Sequence, residues 1–194
     1  MIILGLTGSI GMGKSTTAQM FRDEGCAVFD ADATVHQLYA RGGKAVPIIR
    51  SVFPDAIKNG AVNRQVLGKH MRADPLQLTV LESFVHPLVG EMRSEFLESA
   101  RSRGDRVVVM DEPLLFEMNQ DQSVDKIAVV TAPKSVQRER VMSRPGMTED
   151  LFRLLLSRQL ADAEKRKRAD YLIFTDKGLE NARNQVRQIL KELG

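Results

Sequence analysis

Residues Gly8 to Ser15, Gly-Ser-Ile-Gly-Met-Gly-Lys-Ser, fit the spacing G-x-x-x-x-G-K-S/T. The run follows an apolar stretch, Ile2 to Thr7, and precedes a segment with helical character. Its glycines let successive backbone N–H groups converge on an anion with no Cβ in the way. A helix starting near Lys14 adds the partial positive charge of its N-terminus. Lys14 then reaches the β- and γ-phosphates of a nucleoside triphosphate, and the Ser15 hydroxyl is an oxygen ligand suited to Mg2+. The expected nucleotide-binding run is Gly8, Gly11, Met12, Gly13, Lys14, Ser15 and Thr16. A dinucleotide fingerprint fits less well. Gly8, Gly11 and Gly13 are not spaced G-x-G-x-x-G, and that motif has no need of Lys-Ser.

Phosphate binding alone is not chemistry, so the acids and cations elsewhere matter. Asp30-Ala31-Asp32 closes a second apolar run. Asp32 is a candidate general base for an acceptor hydroxyl, and an Asp there equally suits a helix N-cap, so the pair can divide the two roles. Asp111 ends a third apolar run, and an acid there suits either a metal contact through water or a strand-end cap. Arg140 and Arg144 are one helical turn apart and share a face. Over the phosphate loop they would neutralise charge on a transferring phosphoryl group; otherwise they are solvated arginines.

Five short β-branched runs must position these residues: Ile2 to Thr7, Ala27 to Asp30, Arg106 to Asp111, Lys126 to Thr131 and Tyr171 to Thr175. They are apolar throughout rather than alternating, as in parallel strands covered on both faces. Helical patterns fill 14–24, 31–40, 62–72, 75–101, 134–144, 148–168 and 178–192. The expectation is an α/β fold with a five-stranded, mostly parallel sheet flanked by helices. The functional loops then sit at the carboxyl ends of the strands. About 75 residues separate the second and third strands, far more than one crossover helix requires, so residues 32–103 read as a helical insertion. Gly42-Gly43, Pro54, Gly60, Pro75 and Pro87 are expected to split it into several helices.

The 194 residues suit one domain with a full core. Trp is absent and aromatics are 5%, so aliphatic residues and Met must fill that core. Net charge is +3, but residues 134–168 carry +5 and leave −2 for the rest. A local cationic surface fits a phosphate-rich small molecule as well as a polynucleotide, and the small net charge does not by itself argue for nucleic acid, so no nucleic-acid partner is expected. Cys26 is the one cysteine and reads as a small buried hydrophobe. No stretch has the length of a membrane span and the amino terminus has no basic n-region, so the expectation is a cytoplasmic protein with no membrane partner.

Taken together, these motifs resemble the dephospho-coenzyme A kinase family along nearly the whole chain. The residues that carry the resemblance are Gly5 through Ser15, Asp30-Ala31-Asp32, Arg64 with Leu67, and His86-Pro87. Farther on they are Pro113-Leu114-Leu115-Phe116-Glu117, Gln137 with Arg140 and Arg144, Gln159, and Ala169-Asp170-Tyr171. The resemblance implies ATP-dependent phosphorylation of the ribose 3′-hydroxyl of dephospho-CoA, with Mg2+. It implies a P-loop kinase fold with core 1–31, 104–139 and 169–194, an acceptor-binding insertion 32–103 and a lid 140–168. Asp32 is then the base, with Lys14 and Arg140 as the other catalytic residues. Arg144 joins the ATP site, and Arg64, His86 and Leu115 contact the acceptor; a structural role at the Pro87 boundary is as open for His86. The metal falls to Ser15, with Asp111 through water. The partners are ATP and dephospho-CoA, with no obligate protein partner. Two positions depart from the family pattern. Phe174-Thr175 stand where Asp-Asn is common, and Leu155 stands where an Arg is usual, with Arg153 or Arg158 as substitutes. On the residues alone, a nucleoside or nucleoside monophosphate kinase and a non-catalytic nucleotide switch remain the alternative readings.

Overall fold

The computed structural model describes residues 1–74 and 76–194. They form two compact units: Met1–Phe29 with Ala100–Gly194, and Asp30–Ser99.

The first unit is built on a sheet of β1 (Ile2–Thr7), β2 (Ala27–Asp30), β5 (Val107–Asp111), β6 (Lys126–Thr131) and β7 (Tyr171–Phe174), in the order β2-β5-β1-β6-β7. β1 pairs in parallel with β5 and with β6, and β6 in parallel with β7. The strand order reverses at β1, which opens a crevice at its carboxyl end. Leu4, Leu6, Val108, Val109, Val129 and Val130 have no exposed surface. These β-branched and Leu runs are covered on both sides, which is why they do not alternate. The helices of this unit are α1 (Lys14–Asp23), α6 (Lys134–Met142), α7 (Glu149–Ser157), α8 (Asp162–Lys167) and α9 (Leu179–Leu193). The apolar faces of α1 and α9 supply Ala18, Met20, Phe21, Ala182, Val186 and Ile189 to the core. Cys26 is half-buried against that core, and burial pushes its thiol pKa up, as a packing residue requires.

The second unit holds α2 (Ala31–Tyr39), α3 (Val46–Val52), a hairpin of β3 (Ile57–Lys58) and β4 (Ala61–Val62), α4 (Arg64–Ala73) and most of α5 (Leu76–Arg103). Its core gathers Leu38, Ile49, Phe53, Leu67, Leu81 and Val85. The hairpin turns on Asn59 and Gly60, both at positive φ (54° and 79°). Asn-Gly is the strongest short hairpin signal, but the flanking strands are too short to stand out as apolar runs. α4 begins two residues later than its pattern suggests because the Asn63 side chain caps it, accepting from Gln65 N and Val66 N.

Two expectations about helices need correction. Pro87 does not split the long helix: α5 runs through it. An internal proline costs about 3 kcal/mol. Leu81, Val85, Leu88, Val89 and Met92 all pack on one core from both sides of Pro87, and their burial offsets that cost. The expected start of this helix at Pro75 lies outside the described residues. In the other direction, 148–168 is not one helix but two, α7 and α8. The break between them is where Gln159 and Leu160 turn to other partners, described below. No helix among the described residues is long and apolar enough to cross a membrane.

Candidate active site

The turn between β1 and α1 leaves the first N–H groups of α1 without a side-chain cap. The residue before the helix, Gly13, has φ 97°, a left-handed conformation that an L side chain resists. A Cβ on Gly8 would lie 2.7 Å from the Val130 carbonyl oxygen, so that glycine answers to close approach instead. Met12 sends its side chain into the core, where its sulfur accepts from Ala132 N at 3.2 Å. Only its backbone remains available to a ligand. The Ile10 peptide is gripped on both sides: Ile10 N donates to Gln159 Oε1 at 3.0 Å, and Gln137 Nε2 donates to Ile10 O at 2.8 Å. The loop is thus shaped by α6 and by the segment after α7.

Lys14 Nζ bonds Asp111 Oδ1 at 2.5 Å. The register that pairs Leu6 with Asp111 brings this acid beside the start of the phosphate loop. Asp111 is 3% exposed and the Lys14 side chain 14%. Asp111 was expected as a metal contact through water or as a cap, and a partner it does have is the Lys14 ammonium. The Ser15 hydroxyl lies exposed in the first turn of α1. No three His, Cys, Asp or Glu among the described residues gather as a metal cluster. Ser15 and Asp111 offer oxygen atoms only, a donor set that fits Mg2+, whose remaining ligands come from phosphates and water.

A cavity of about 290 Å³ adjoins the loop, lined by Gly11, Gly13 and Thr16 on one side and Arg140, Arg144, Thr175 and Leu179 on others. That is at the small end of ligand pockets, about 300–1,000 Å³. The structure therefore brings Arg140 and Arg144 together with the phosphate loop, as their spacing suggests. Thr175 was marked by its sequence only as a departure from a family pattern. It donates its hydroxyl to Met12 O at 2.7 Å and accepts from Arg140 Nη1 at 2.8 Å. Sequence alone carried no signal for that.

In the second unit the acid pair divides its roles. Asp30 Oδ1 accepts from Ala33 N at 2.9 Å and caps α2. Asp32 is exposed in the first turn, with no hydrogen bond or ion pair among the described residues. His36 lies one turn along the same face, and Arg64, first residue of α4, donates to its Nε2. Arg64, Gln65, Lys69 and Arg72 line an open groove of about 640 Å³. His86 is exposed midway along α5 rather than at a helix end. Leu115, expected to touch the acceptor, belongs to the first unit and has no exposed surface. It packs with Phe116, Ile127 and Val129, so its place is in the core.

The missing part of the sequence reading is Lys165. It is fully buried, bonds Glu117 Oε1 at 2.8 Å and donates to Pro113 O at 3.0 Å. Glu117 Oε1 also accepts from Leu160 N at 2.7 Å, and Thr131 Oγ1 donates to Asp162 Oδ2 at 2.8 Å. The start of α8 is thereby sewn to the exits of β5 and β6. Within a run of basic residues, nothing marks Lys165 as the buried one except its helix phase. Replacing Lys165 with Met strands the Glu117 carboxylate and is expected to lower stability by about 3 kcal/mol. The double substitution K165M/E117Q should recover a good part of that loss. Chemical denaturation midpoints at fixed m-value check both.

Residues 2–181 match the model of the dephospho-CoA kinase family. The chain is 49% identical over 194 residues to a dephospho-CoA kinase of Agrobacterium fabrum, covering 100% of this chain and 99% of that one. A crystal structure from Thermus thermophilus is similar with a TM-score of 0.85 at 33% identity, over 100% of this chain and 98% of the other. A dephospho-CoA kinase of Campylobacter jejuni shares the fold, with a TM-score of 0.67 at 22% identity over 99% and 97%.

Proposed function

This chain belongs to the dephospho-CoA kinase family, and from that premise we propose that it transfers the γ-phosphoryl group of ATP to the ribose 3′-hydroxyl of dephospho-CoA. The product is coenzyme A. The observation that carries the reading is the Lys14–Asp111 pair beside an uncapped helix N-terminus, at the carboxyl ends of two neighbouring strands. Backbone N–H groups of the loop and the first turn of α1 hold the phosphates. Lys14 brings its charge to the β- and γ-oxygens, where a loose transition state gathers negative charge. Arg140 and Arg144 add positive charge from the nucleotide cavity. Ser15, with Asp111 through water, would hold a Mg2+, which when bound would supply further neutralisation of the phosphate oxygens.

The acceptor belongs to the second unit. Asp32 takes the proton of the 3′-hydroxyl as it attacks phosphorus, and its carboxylate is available because Asp30 caps the helix. Arg64, Lys69 and Arg72 give the groove a charge suited to the acceptor's diphosphate. His86 remains a contact on the face of α5. The segment 140–168 acts as a lid that excludes water. Its later part is bonded to the core at Gln159, Asp162 and Lys165, which supports a moving portion limited to about residues 143–158.

A coupled assay for ADP release against a panel of acceptors tests the reading. Dephospho-CoA is expected to stimulate release at least tenfold over water, and adenosine or a nucleoside monophosphate to leave it near background. Release driven equally by a nucleoside monophosphate, with none from dephospho-CoA, would move the chain to another acceptor.

A further inference from the structure

We infer that Thr175 is a positioning residue for ATP, tying the phosphate loop to Arg140 across the nucleotide cavity. The backbone first places it: Thr175 follows β7 and its N–H donates to Thr131 O at 3.1 Å, continuing the sheet by one bond. The side chain then meets two groups of opposite need. The Met12 carbonyl only accepts, and the Arg140 guanidinium only donates. The Thr175 hydroxyl has one proton and free lone pairs, so it satisfies both, at 2.7 Å and 2.8 Å. The Thr175 carbonyl takes a second bond from Arg140 Nη2 at 2.8 Å. Arg140 is therefore held by a two-point grip, and both its side-chain hydrogen bonds among the described residues go to Thr175.

The grip has a consequence for the nucleotide. Gly11, Gly13, Arg140 and Thr175 line the same cavity. A Cβ on Gly13 would lie 3.2 Å from the Thr175 side chain, so this side chain fills the space that the glycine leaves. Loop and arginine are set relative to each other before ATP arrives, which spares the cost of ordering a long side chain on binding.

The experiment is steady-state kinetics in both substrates for T175V, T175S, R140M and T175V/R140M, with melting temperatures. Valine keeps the shape and removes the hydroxyl. Losing a hydrogen bond to a charged group corresponds to about a 10- to 100-fold rise in KM for ATP, with KM for dephospho-CoA within about twofold. T175S should restore most of the loss. The double variant should bind ATP little more weakly than R140M alone, the Met12 bond being the one link that T175V cuts and R140M does not. The inference uses the kinase reading only for its turnover readout. Calorimetric binding of a non-hydrolysable ATP analogue gives the same ranking with no acceptor present, so failure of the acceptor assay would leave it intact. An unchanged ATP affinity in T175V would overturn the inference. So would a serine variant as poor as valine, multiplicative losses in the double variant, or a loss that tracks melting temperature. Should T175V not fold, T175A carries the same comparison.

Discussion

Asp32→Asn is expected to lower kcat by about 10²- to 10⁴-fold, the range for removing a positioned general base, while ATP affinity stays within about twofold. The argument starts from helix α2. Asp30, not Asp32, accepts from a free N–H of that helix's first turn, that of Ala33, so the amide at position 32 removes no cap. Asp32 is exposed and has no partner to lose among the described residues. What the substitution does remove is a negative charge in the first helical turn, a loss of about 0.3–1 kcal/mol. A large fall in turnover with a nearly unchanged melting temperature is thus a chemical effect. Asp30→Ala supplies the contrast: it should cost about 1 kcal/mol of stability through the lost cap and leave the general base in place. The check is kcat from the coupled assay beside ATP binding by calorimetry. Near-normal turnover in D32N would remove Asp32 as base.

The fold was legible wherever burial repeats. Fully covered parallel strands read as apolar runs, and all five lie within one residue of their expected bounds. The phosphate loop was legible because backbone geometry demands glycine at Gly13 and Gly8 for two separate reasons, a positive φ and a close carbonyl. Legibility failed where a residue's role depends on distant partners. Pro87 carries a local rule that the packing of Leu81, Val85 and Met92 overrides. Lys165 looks like its basic neighbours, yet it alone of that run turns inward, because Glu117 and the Pro113 carbonyl wait there. Leu115 sits in a string that resembles an acceptor-site motif, while its own side chain serves the core.

The same contrast explains why the site assignments divide as they do. Lys14 and Asp111 meet through sheet register, and Arg140 and Arg144 reach the loop's cavity from one helix face, both periodic and so readable. Thr175 and Gln159 join them through single hydrogen bonds that span 163 and 149 residues of sequence. Such links have no period and leave no pattern. They nevertheless decide the shape of the loop, since the Ile10 peptide and the Met12 carbonyl both depend on side chains from the last third of the chain.

Lys14→Met should damage activity and stability together, lowering kcat/KM for ATP by about 10³-fold, at the upper end for losing one group aimed at developing charge. Two effects must be separated, because Lys14 also neutralises Asp111. That carboxylate is 3% exposed, and depriving it of the ammonium is expected to destabilise the protein by about 2 kcal/mol, somewhat less than for a fully buried pair because Lys14 keeps some solvent contact. The double variant K14M/D111N tells the two apart. It removes the carboxylate's charge together with the ammonium's and should regain most of the lost stability. It returns no positive charge to the phosphates, so activity should stay as low as in K14M. Lys14→Arg is a further discriminator. A planar guanidinium keeps the charge but not the compact ammonium that fits between a carboxylate and phosphate oxygens, so turnover should fall by at least tenfold while stability changes little. If K14M/D111N recovered activity along with stability, the role of Lys14 would be to hold Asp111 in place. If neither variant lost activity, phosphate binding at this loop would not be part of the reaction.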